Sequence, residues 1–372
     1  MNAPSPTRFN RFLLPGFAFK AVVIGGGYAT GRELAEFFLP SGPQGGLAGM
    51  LLAMLIWSAV CTVTFLFARA TGSANYRTFF AALLGPAWFL FDIAYMCLVL
   101  IVLSVFAAAA GDIGAALFGL PNIVGTLCLI GGIVLVTTFG TASVERLFKY
   151  VTYFLYGVYV VFIVLTLAKF FPAIATQFAA HHPTTGWAAG GISYAGYNVV
   201  GAVTILPVLR HLTSNRDAVI AGLLCGPLAM LPAVVFFLGM TAFYPGIAAI
   251  ELPSDYMLTR LDAPVLHLTF QVMIFFALLE SGTGIVHSVN ERVGAVITAR
   301  GGTFTPQLRL TCAALLLAFS VFVAGRFGLV ALIASGYRAL SYALIAVFVL
   351  PLLTVGIWRV RSGLRTGAAI AS

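Results

Sequence analysis

Residues 24–33 read IGGGYATGRE and lie inside the first long apolar run of the sequence, residues 13–39. Three consecutive glycines are unusual there, because each destabilises a helix interior by about 1 kcal/mol relative to alanine. Unwound backbone at membrane depth must face protein or a cavity, since each unsatisfied N–H or C=O group costs several kcal/mol in lipid. The stretch therefore predicts a transmembrane helix that is broken near its middle, with backbone groups available to a ligand.

A second stretch of this kind occurs in the other half of the chain. Residues 190–201 read GGISYAGYNVVG within the apolar run 187–209, and Pro207 follows. Small residues at these positions also allow close helix packing, which is the alternative to a break. The matching positions of the two stretches in the two halves favour two broken helices.

The composition places the whole fold in a membrane. The chain has 372 residues, of which 61% are hydrophobic and only 8% are charged. A helix needs about 20 apolar residues to cross a bilayer, and long unbroken runs of this kind are unlike the short alternating segments of a β-barrel. We therefore predict an all-α integral membrane protein with about ten transmembrane helices, at residues 13–39, 46–68, 87–109, 122–139, 148–168, 187–209, 218–240, 265–290, 307–324 and 329–357.

Ten spans divide into two halves of five, at about 13–168 and 187–357. Because five crossings reverse direction, the second half begins on the opposite side from the first, which is an inverted-topology repeat of the kind common in secondary transporters. The sequence thus predicts one transmembrane transporter domain over residues 1–360, followed by a cytoplasmic tail at 361–372.

The net charge is +9, and the distribution of the basic residues indicates how the chain is oriented in the membrane. Only three of the 20 Lys and Arg residues fall in segments predicted to be outside: Lys169, Arg260 and Arg326. Arg32 and Arg338 lie within spans, and the remaining fifteen, Lys20 among them, are assigned to the inner side. The positive-inside rule then predicts a multi-pass protein of the cell (inner) membrane with both termini in the cytoplasm, and no nucleic-acid partner.

Ionisable residues within spans are candidates for function, because they are costly at membrane depth. Glu280 lies near the middle of the eighth span, and His287 follows on the same helix face, about 10 Å away at 1.5 Å per residue. We predict a proton relay through water for this pair; the alternative is a structural salt bridge of Glu280 with Arg338 or Arg32.

Three charged residues at the outer half of the membrane are candidates for a gate. Arg32 and Glu33 follow the first predicted break directly, and Arg338 lies in the tenth span. A gate would join Arg32 or Glu33 to that span. The alternative for Arg32 is a local ion pair with Glu36, four residues further along the same helix.

The second stretch contributes polar and aromatic candidates for a substrate site. The Asn198 amide has two donors and two acceptor lone pairs, which suits it to orient a polar solute or to bond across helices. Tyr28, Tyr194 and Tyr197 either line the pocket or pack as core.

The sequence resembles a family of membrane proteins. The segments GGGYATGRE at 25–33, FF at 37–38, YAGYN at 194–198 and VNER at 289–292 resemble YkvI-type membrane proteins. These are similar to the amino acid, polyamine and organocation transporter superfamily, whose LeuT-like fold is a five-plus-five inverted repeat with discontinuous helices 1 and 6. The resemblance extends from about residue 17 to residue 351.

The resemblance implies a substrate site at the breaks of the first and sixth helices, with a third-helix aromatic residue added. In this sequence it falls on Gly25, Gly26, Gly27, Tyr28, Thr30, Tyr95, Ser193, Tyr194, Tyr197 and Asn198. It also implies a possible Na⁺ site, formed by Ser281 and Thr283 of the eighth helix with backbone carbonyls of Ile24 and Gly25.

The predicted function is secondary active transport of a small solute, amino-acid-like or an organic cation, coupled to Na⁺ or H⁺. The alternatives are an ion channel and a receptor or scaffold that does not transport. Because intramembrane catalytic motifs are absent from the sequence, we predict that the protein is not an enzyme and has no cofactor besides the coupling ion. The partners are the solute and the lipid bilayer, and the sequence gives no oligomeric state.

Overall fold

The computed structural model describes residues 7–138 and 141–362, and the secondary-structure elements assigned to these residues are all helices, joined by turns and short connections. The α-helices of the amino-terminal half are α1 (Leu14–Val23), α2 (Gly26–Thr30), α3 (Arg32–Phe37), α4 (Gly42–Thr71), α5 (Tyr76–Leu84), α6 (Phe89–Phe118), α7 (Asn122–Thr138) and α8 (Thr141–Ala179). Those of the carboxy-terminal half are α9 (Trp187–Asn198), α10 (Gly201–Thr204), α11 (Asn215–Thr241), α12 (Pro253–Leu261), α13 (Pro264–Ala299), α14 (Pro306–Ala331) and α15 (Arg338–Leu344). The predicted all-α class is confirmed.

Each predicted span overlaps a helix or a set of consecutive helices. In the described chain, six stretches are long and apolar enough to cross a membrane, and a seventh, Asn122–Thr137, is shorter. Several helices extend well beyond the predicted limits; the fifth span, predicted at 148–168, is α8, which ends at Ala179. The total of ten crossings stays a prediction.

The first span is broken at the first of the three glycines, whereas Gly26 and Gly27, also predicted to be unwound, begin helix α2. Helix α1 ends at Val23, Ile24 leaves the helical region with ψ 85°, and Gly25 is extended with φ −105° and ψ −171°. The short helix α2 then ends at Gly31, whose φ of 79° lies in the left-handed region that favours glycine. Helix α3 continues to Phe37, so the span consists of three helical pieces with two interruptions.

The second span of interest differs from the prediction. Residues 193–198, predicted to be unwound, are the last part of the continuous helix α9. The interruption comes later, at Val199 and Val200, after which the amides of Ala202 and Val203 bond three residues back. The backbone keeps nearly helical dihedral angles there, because only one glycine, Gly201, lies at this point and β-branched valines do not unwind as readily as Gly25–Gly27.

The helices pack reciprocally between the two halves. Helix α1 packs against α11 and helix α9 packs against α4, while α4 and α11 form an extensive interface with each other. Likewise α6 contacts α14 and α13 contacts α7. Helices at matching places in the two halves thus exchange partners, as an inverted repeat predicts; the repeat itself stays a prediction.

Two short helices connect the spans and were not predicted, because runs of nine residues are too short for a hydropathy signal. Helix α5 precedes α6, and helix α12 precedes α13. Asp255 of α12 accepts hydrogen bonds from His267 and Gln271 of α13, at 2.6 and 2.7 Å. These bonds fix α12 and the turn Gly246–Ala249 beside the outer end of the broken first span.

Candidate functional site

A carboxylate lies just beyond the broken segment of the first span. Glu33, in α3, is 4% exposed, and its Oε2 accepts a hydrogen bond of 2.7 Å from the hydroxyl of Tyr197 in α9. Gly27 provides space for this carboxylate, since a Cβ there would lie only 2.2 Å from Oε1 of Glu33. No Lys or Arg side chain forms an ion pair with Glu33 in the described chain.

Aromatic rings surround this carboxylate. Tyr197 packs on Tyr337 with a ring separation of 4.4 Å, and Tyr194 contacts Phe38 at 4.9 Å and Trp57 at 5.5 Å. All of these rings are buried, so the predicted aromatic residues of α9 form a cluster at the interface with α3, α4 and the carboxy-terminal helices. The hydroxyl of Tyr194 has no hydrogen-bond partner among the described residues.

Polar groups near the two interruptions bond mainly to backbone. Thr30 Oγ1 donates to the Gly27 carbonyl at 3.0 Å, and Asn198 Nδ2 donates to the Tyr194 carbonyl at 3.0 Å, so both side chains bond within their own helical segment. The Ser193 carbonyl accepts a hydrogen bond from Ser341 Oγ of α15. Asn198 thus uses one amide hydrogen within its own helix, and its role in a substrate site stays a prediction.

On the side of Glu33 that is predicted to face outward, Arg32 forms a network of its own. Its guanidinium donates to the carbonyls of Ala248 and Ile250 at 2.8 and 2.9 Å and to Glu36 at 2.8 Å. Arg338 approaches the other Glu36 oxygen at 3.6 Å. The local Arg32–Glu36 pair is therefore present, and Glu36, which was not a predicted gate residue, connects the first span to the tenth.

The predicted relay residues lie in α13, which packs against α8 and α2. Glu280 and His287 are half-buried in α13, and Glu280 is close enough to Tyr156 of α8 to act electrostatically on its hydroxyl. Arg32 and Arg338, the alternative partners of Glu280, are both paired with Glu36. The proton relay stays a prediction.

Tyr95 lies apart from the tyrosines of α9. Its ring is 3.9 Å from the guanidinium carbon of Arg292, which also lies 3.8 Å from the ring of Tyr76. Arg292 is 3.9 Å from Asp92. Tyr76, Tyr95 and Arg292 line a cavity of about 500 Å³ at the ends of α6 and α13 that are predicted to face the cytoplasm.

The implied Na⁺ site has one suitable feature. Thr283 is completely buried, and its Oγ1 has no hydrogen-bond partner in the part of the chain that is described. Helix α13, which carries Thr283 and the half-buried Ser281, packs against α2 beside the Ile24–Gly25 interruption. Carbonyl and hydroxyl oxygens are ligands that suit a hard cation. Among residues 7–138 and 141–362, no three His, Cys, Asp or Glu side chains are grouped to hold a metal.

Sequence reasoning missed the bridging role of Glu36, the ring of Tyr337 and the stacking of Arg292. Glu36 was considered only as a local partner of Arg32, because the approach of the tenth span is a tertiary contact. Arg292 was part of a recognised motif, and its charge at the end of a span was a signal that could have been used.

A broken first span, a buried carboxylate just beyond that break and the reciprocal packing of helices between the two halves indicate the class of fold. It is the helical membrane fold with LeuT-like architecture, and solved structures confirm it. The chain is similar to a Na⁺-coupled sialic acid symporter (TM-score 0.63, 15% identity, covering 94% of this chain and 82% of that one). It is also similar to MhsT bound to L-phenylalanine (TM-score 0.55, 14% identity, 97% and 99%) and to Mhp1, a nucleobase-cation-symport-1 family transporter (TM-score 0.53, 15% identity, 92% and 78%).

A curated relative gives the nearer comparison. The chain is 23% identical over 300 residues to the uncharacterised membrane protein YkvI of Bacillus subtilis (strain 168), which covers 79% of this chain and 84% of the relative. The resemblance to YkvI-type membrane proteins is thereby confirmed. No family model matches the sequence.

Proposed function

We propose that this protein is a secondary active transporter of the cell membrane that moves a small solute by alternating access, coupled to Na⁺ or H⁺. The observation that carries the proposal is the interruption at Ile24–Gly25, followed within the same span by the buried Glu33–Tyr197 pair. Membrane transporters use such interruptions to present backbone groups to a solute. The similar folds of a Na⁺-coupled sialic acid symporter and of a nucleobase-cation-symport-1 family transporter support the same role.

The solute class follows from the charge at the site. Glu33 accepts one hydrogen bond, from Tyr197, and has no cationic partner among the described residues. A carboxylate in a buried aromatic cluster attracts an ammonium group, both by its charge and through the faces of the rings. We therefore favour a solute with a positively charged nitrogen, a property that amino acids and organic cations share.

The two sides of Glu33 differ as alternating access requires. On the outer side, Arg32, Glu36 and Arg338 connect the first and tenth spans, and the carbonyls of Ala248 and Ile250 hold Arg32. On the other side, the 500 Å³ cavity lies between α6, α13 and the end of the sixth span. We assign this conformation as closed to the outside.

Uptake into vesicles tests the proposal. Purified protein in proteoliposomes is given a panel of amino acids, organic amines and nucleobases with and without an inward Na⁺ or H⁺ gradient. We expect saturable, gradient-driven accumulation of at least one amine-containing solute, and a loss of at least tenfold in Glu33→Gln. Flux that neither saturates nor accumulates against a gradient would identify a channel, and binding without flux would identify a receptor.

The coupling ion is tested separately at Thr283. Thr283→Val keeps the shape of the side chain and removes its hydroxyl. If that oxygen binds Na⁺, we expect the Na⁺ concentration needed for half-maximal uptake to rise about tenfold. The matched control is Thr64→Val in α4, because Thr64 is also buried with an unpartnered hydroxyl but lies away from the first break. Equal effects of the two substitutions would argue against a Na⁺ site at Thr283.

A further inference from the structure

A buried ammonium group lies in the middle of α1. The sequence position of Lys20 assigned it to the inner side of the membrane. In the structure the residue is only 9% exposed, and it belongs to α1, one helical turn before the break. It follows Arg11 by nine residues, about 13 Å along a helix, which carries it well into a hydrocarbon layer about 30 Å thick. The inner-side assignment of Lys20 stays a prediction, and the structure adds that its side chain is buried in the helix bundle.

This ammonium forms no ion pair in the chain as described, and the carboxylate recorded in its neighbourhood is that of Glu280, which acts electrostatically on the hydroxyl of Tyr156. No carboxylate lies within 4 Å of its Nζ, and its nearest recorded partner is the ring of Tyr156, whose centroid is 4.4 Å away. Lys169 provides a contrast, because its Nζ donates to the carbonyls of Arg260 and Leu261. An unpaired ammonium at membrane depth is costly, and such groups characteristically mark binding sites.

Lys20 faces a cavity of about 250 Å³ between the first, fifth, seventh and eighth spans. The phenols of Tyr28, Tyr156 and Tyr159 are the other polar groups on its wall, and the rest of the wall is apolar: Ile24, Ala29, Leu155, Val160, Ile163, Val164, Leu231, Pro232, Val235 and Met273. A ligand that matches this wall has one anionic end and an apolar body.

The opening of this cavity faces the lipid. Val160, Val164 and Leu231 on its rim are 58%, 58% and 64% exposed, on the outer surfaces of α8 and α11. Apolar side chains exposed to this degree on transmembrane helices contact acyl chains. A ligand therefore reaches Lys20 from the side, through the bilayer, and its apolar body can extend along this rim beyond the enclosed volume.

We propose that the Lys20 cavity binds a single-chain amphipathic carboxylate, such as a fatty acid, that enters from the bilayer. The carboxylate pairs with Nζ of Lys20, and the alkyl chain lies between α8 and α11. The hydroxyl of Tyr159 already donates to the Pro232 carbonyl at 2.9 Å, so the remaining donors are one ammonium and the phenols of Tyr28 and Tyr156. This small set suits a carboxylate better than a phosphate group, which takes more donors. The pairing uses neither Glu33 nor Tyr197, although the cavity wall shares Ile24 and Tyr28 with the predicted substrate and Na⁺ sites, and its test does not depend on transport.

Photolabelling tests the proposal on the full-length protein in nanodiscs of phosphatidylcholine. The probe is dodecanoate with a photoreactive diazirine near the middle of its chain, and mass spectrometry locates the label. We expect saturable labelling of α8 or α11 residues at the cavity rim. Unlabelled dodecanoate should compete at least tenfold better than dodecanol, which has the same chain without the charge, and than dodecyltrimethylammonium.

Substitutions at the two lysines provide the matched comparison. Lys20→Met keeps the apolar stem and removes the charge, so we expect at least tenfold weaker binding of dodecanoate with unchanged thermal stability. The affinity of Lys20→Arg for dodecanoate should be within about threefold of that of the unmodified protein, and the affinity of Lys169→Met should be unchanged. Equal binding by Lys20→Met, or equal competition by dodecanol, would refute the site.

The same competition measurement also distinguishes whether the anion comes from the bilayer or from water. Butanoate carries the same head group but stays in water, so we expect it not to compete. If butanoate competes as well as dodecanoate, the cavity takes its anion from solution and the proposed entry from the bilayer is wrong.

Discussion

At the scale of single residues, the protein is organised around charges that have been placed in an apolar environment. Glu33 is held by one tyrosine hydroxyl, and Arg32, its neighbour in sequence, points to the outer network instead. The two adjacent charges of opposite sign do not neutralise each other. The sequence shows that both lie near a break, but the direction in which each side chain points depends on its partners in other helices.

The hydroxyl of Tyr197 should contribute measurably to stability. Tyr197→Phe leaves the buried Glu33 without its hydrogen bond, and such bonds to charged groups are worth about 1–3 kcal/mol. We expect a clear decrease in the free energy of unfolding, measured by thermal denaturation in detergent.

Tyr194→Phe is the control for this substitution. Tyr194 is equally buried in the same aromatic cluster, but its hydroxyl has no partner among the described residues. Removing that hydroxyl should leave stability unchanged or raise it slightly, since a buried unpaired polar group is itself unfavourable. Equal losses for the two variants would show that Tyr197 acts only by packing.

At the scale of elements, close contacts between helices determine where glycine is needed. Gly226 of α11 lies against α4, so that an added Cβ would be 2.2 Å from the Met54 carbonyl oxygen. The reciprocal packing of α1 on α11 and of α9 on α4 depends on this central interface. A sequence pattern of small residues indicates such contacts without giving the partner helix.

Substitution of Gly226 by alanine should separate these two helices. Forced contact with backbone in a packed interface costs about 1–3 kcal/mol, so we expect less folded protein in the membrane and a lower unfolding temperature. Gly131→Ala in α7 is the control, because an added Cβ there meets no other atom within 4 Å. An equal loss of stability in Gly131→Ala would show that the effect comes from replacing a helix glycine in general and not from the α4–α11 interface.

The connection between the first and tenth spans should limit access from outside. Glu36→Gln weakens the contacts to Arg32 and Arg338. If this destabilises the outward-closed conformation by about 1 kcal/mol, the outward-open fraction increases about fivefold. We expect a similar rise in the rate at which an impermeant thiol reagent labels Asn198→Cys from the outer side, in a background without the five native cysteines.

Arg326→Ala is the matched control for access, since Arg326 is exposed and forms no ion pair in the described chain. Its labelling rate should equal that of the unmodified protein. Unchanged labelling in Glu36→Gln would mean that another layer closes the outer side.

At the scale of the whole molecule, the charge distribution predicts an orientation that the fold alone does not give. Residue 181 follows five predicted crossings and residue 302 follows eight, and both are exposed between helices. Phosphatase fusions should therefore be active at 181 and inactive at 302. Activity on the same side at both positions would contradict the ten-span topology.

Part of this architecture followed from the sequence alone. Long apolar runs specify transmembrane helices because lipid cannot satisfy backbone polar groups, and Gly25–Gly27 specify the first break because glycine lowers the cost of unwinding. Both are local properties, and the structure agrees with them. The sixth span shows the limit of this reasoning, because its interruption at Val199–Val200 lies after the residues where composition predicted it.

The tertiary structure alone decided which polar groups meet. Tyr197 reaches Glu33 across 164 positions of sequence, Glu36 joins two distant spans, and Tyr95 stacks on Arg292 away from the other predicted site residues. Lys20, which sequence position assigned to the inner side, lies on the wall of a lipid-facing cavity. Helix periodicity fixes only the face on which a side chain lies, and the partner depends on how helices rotate and cross as they pack, which is a property of the whole bundle.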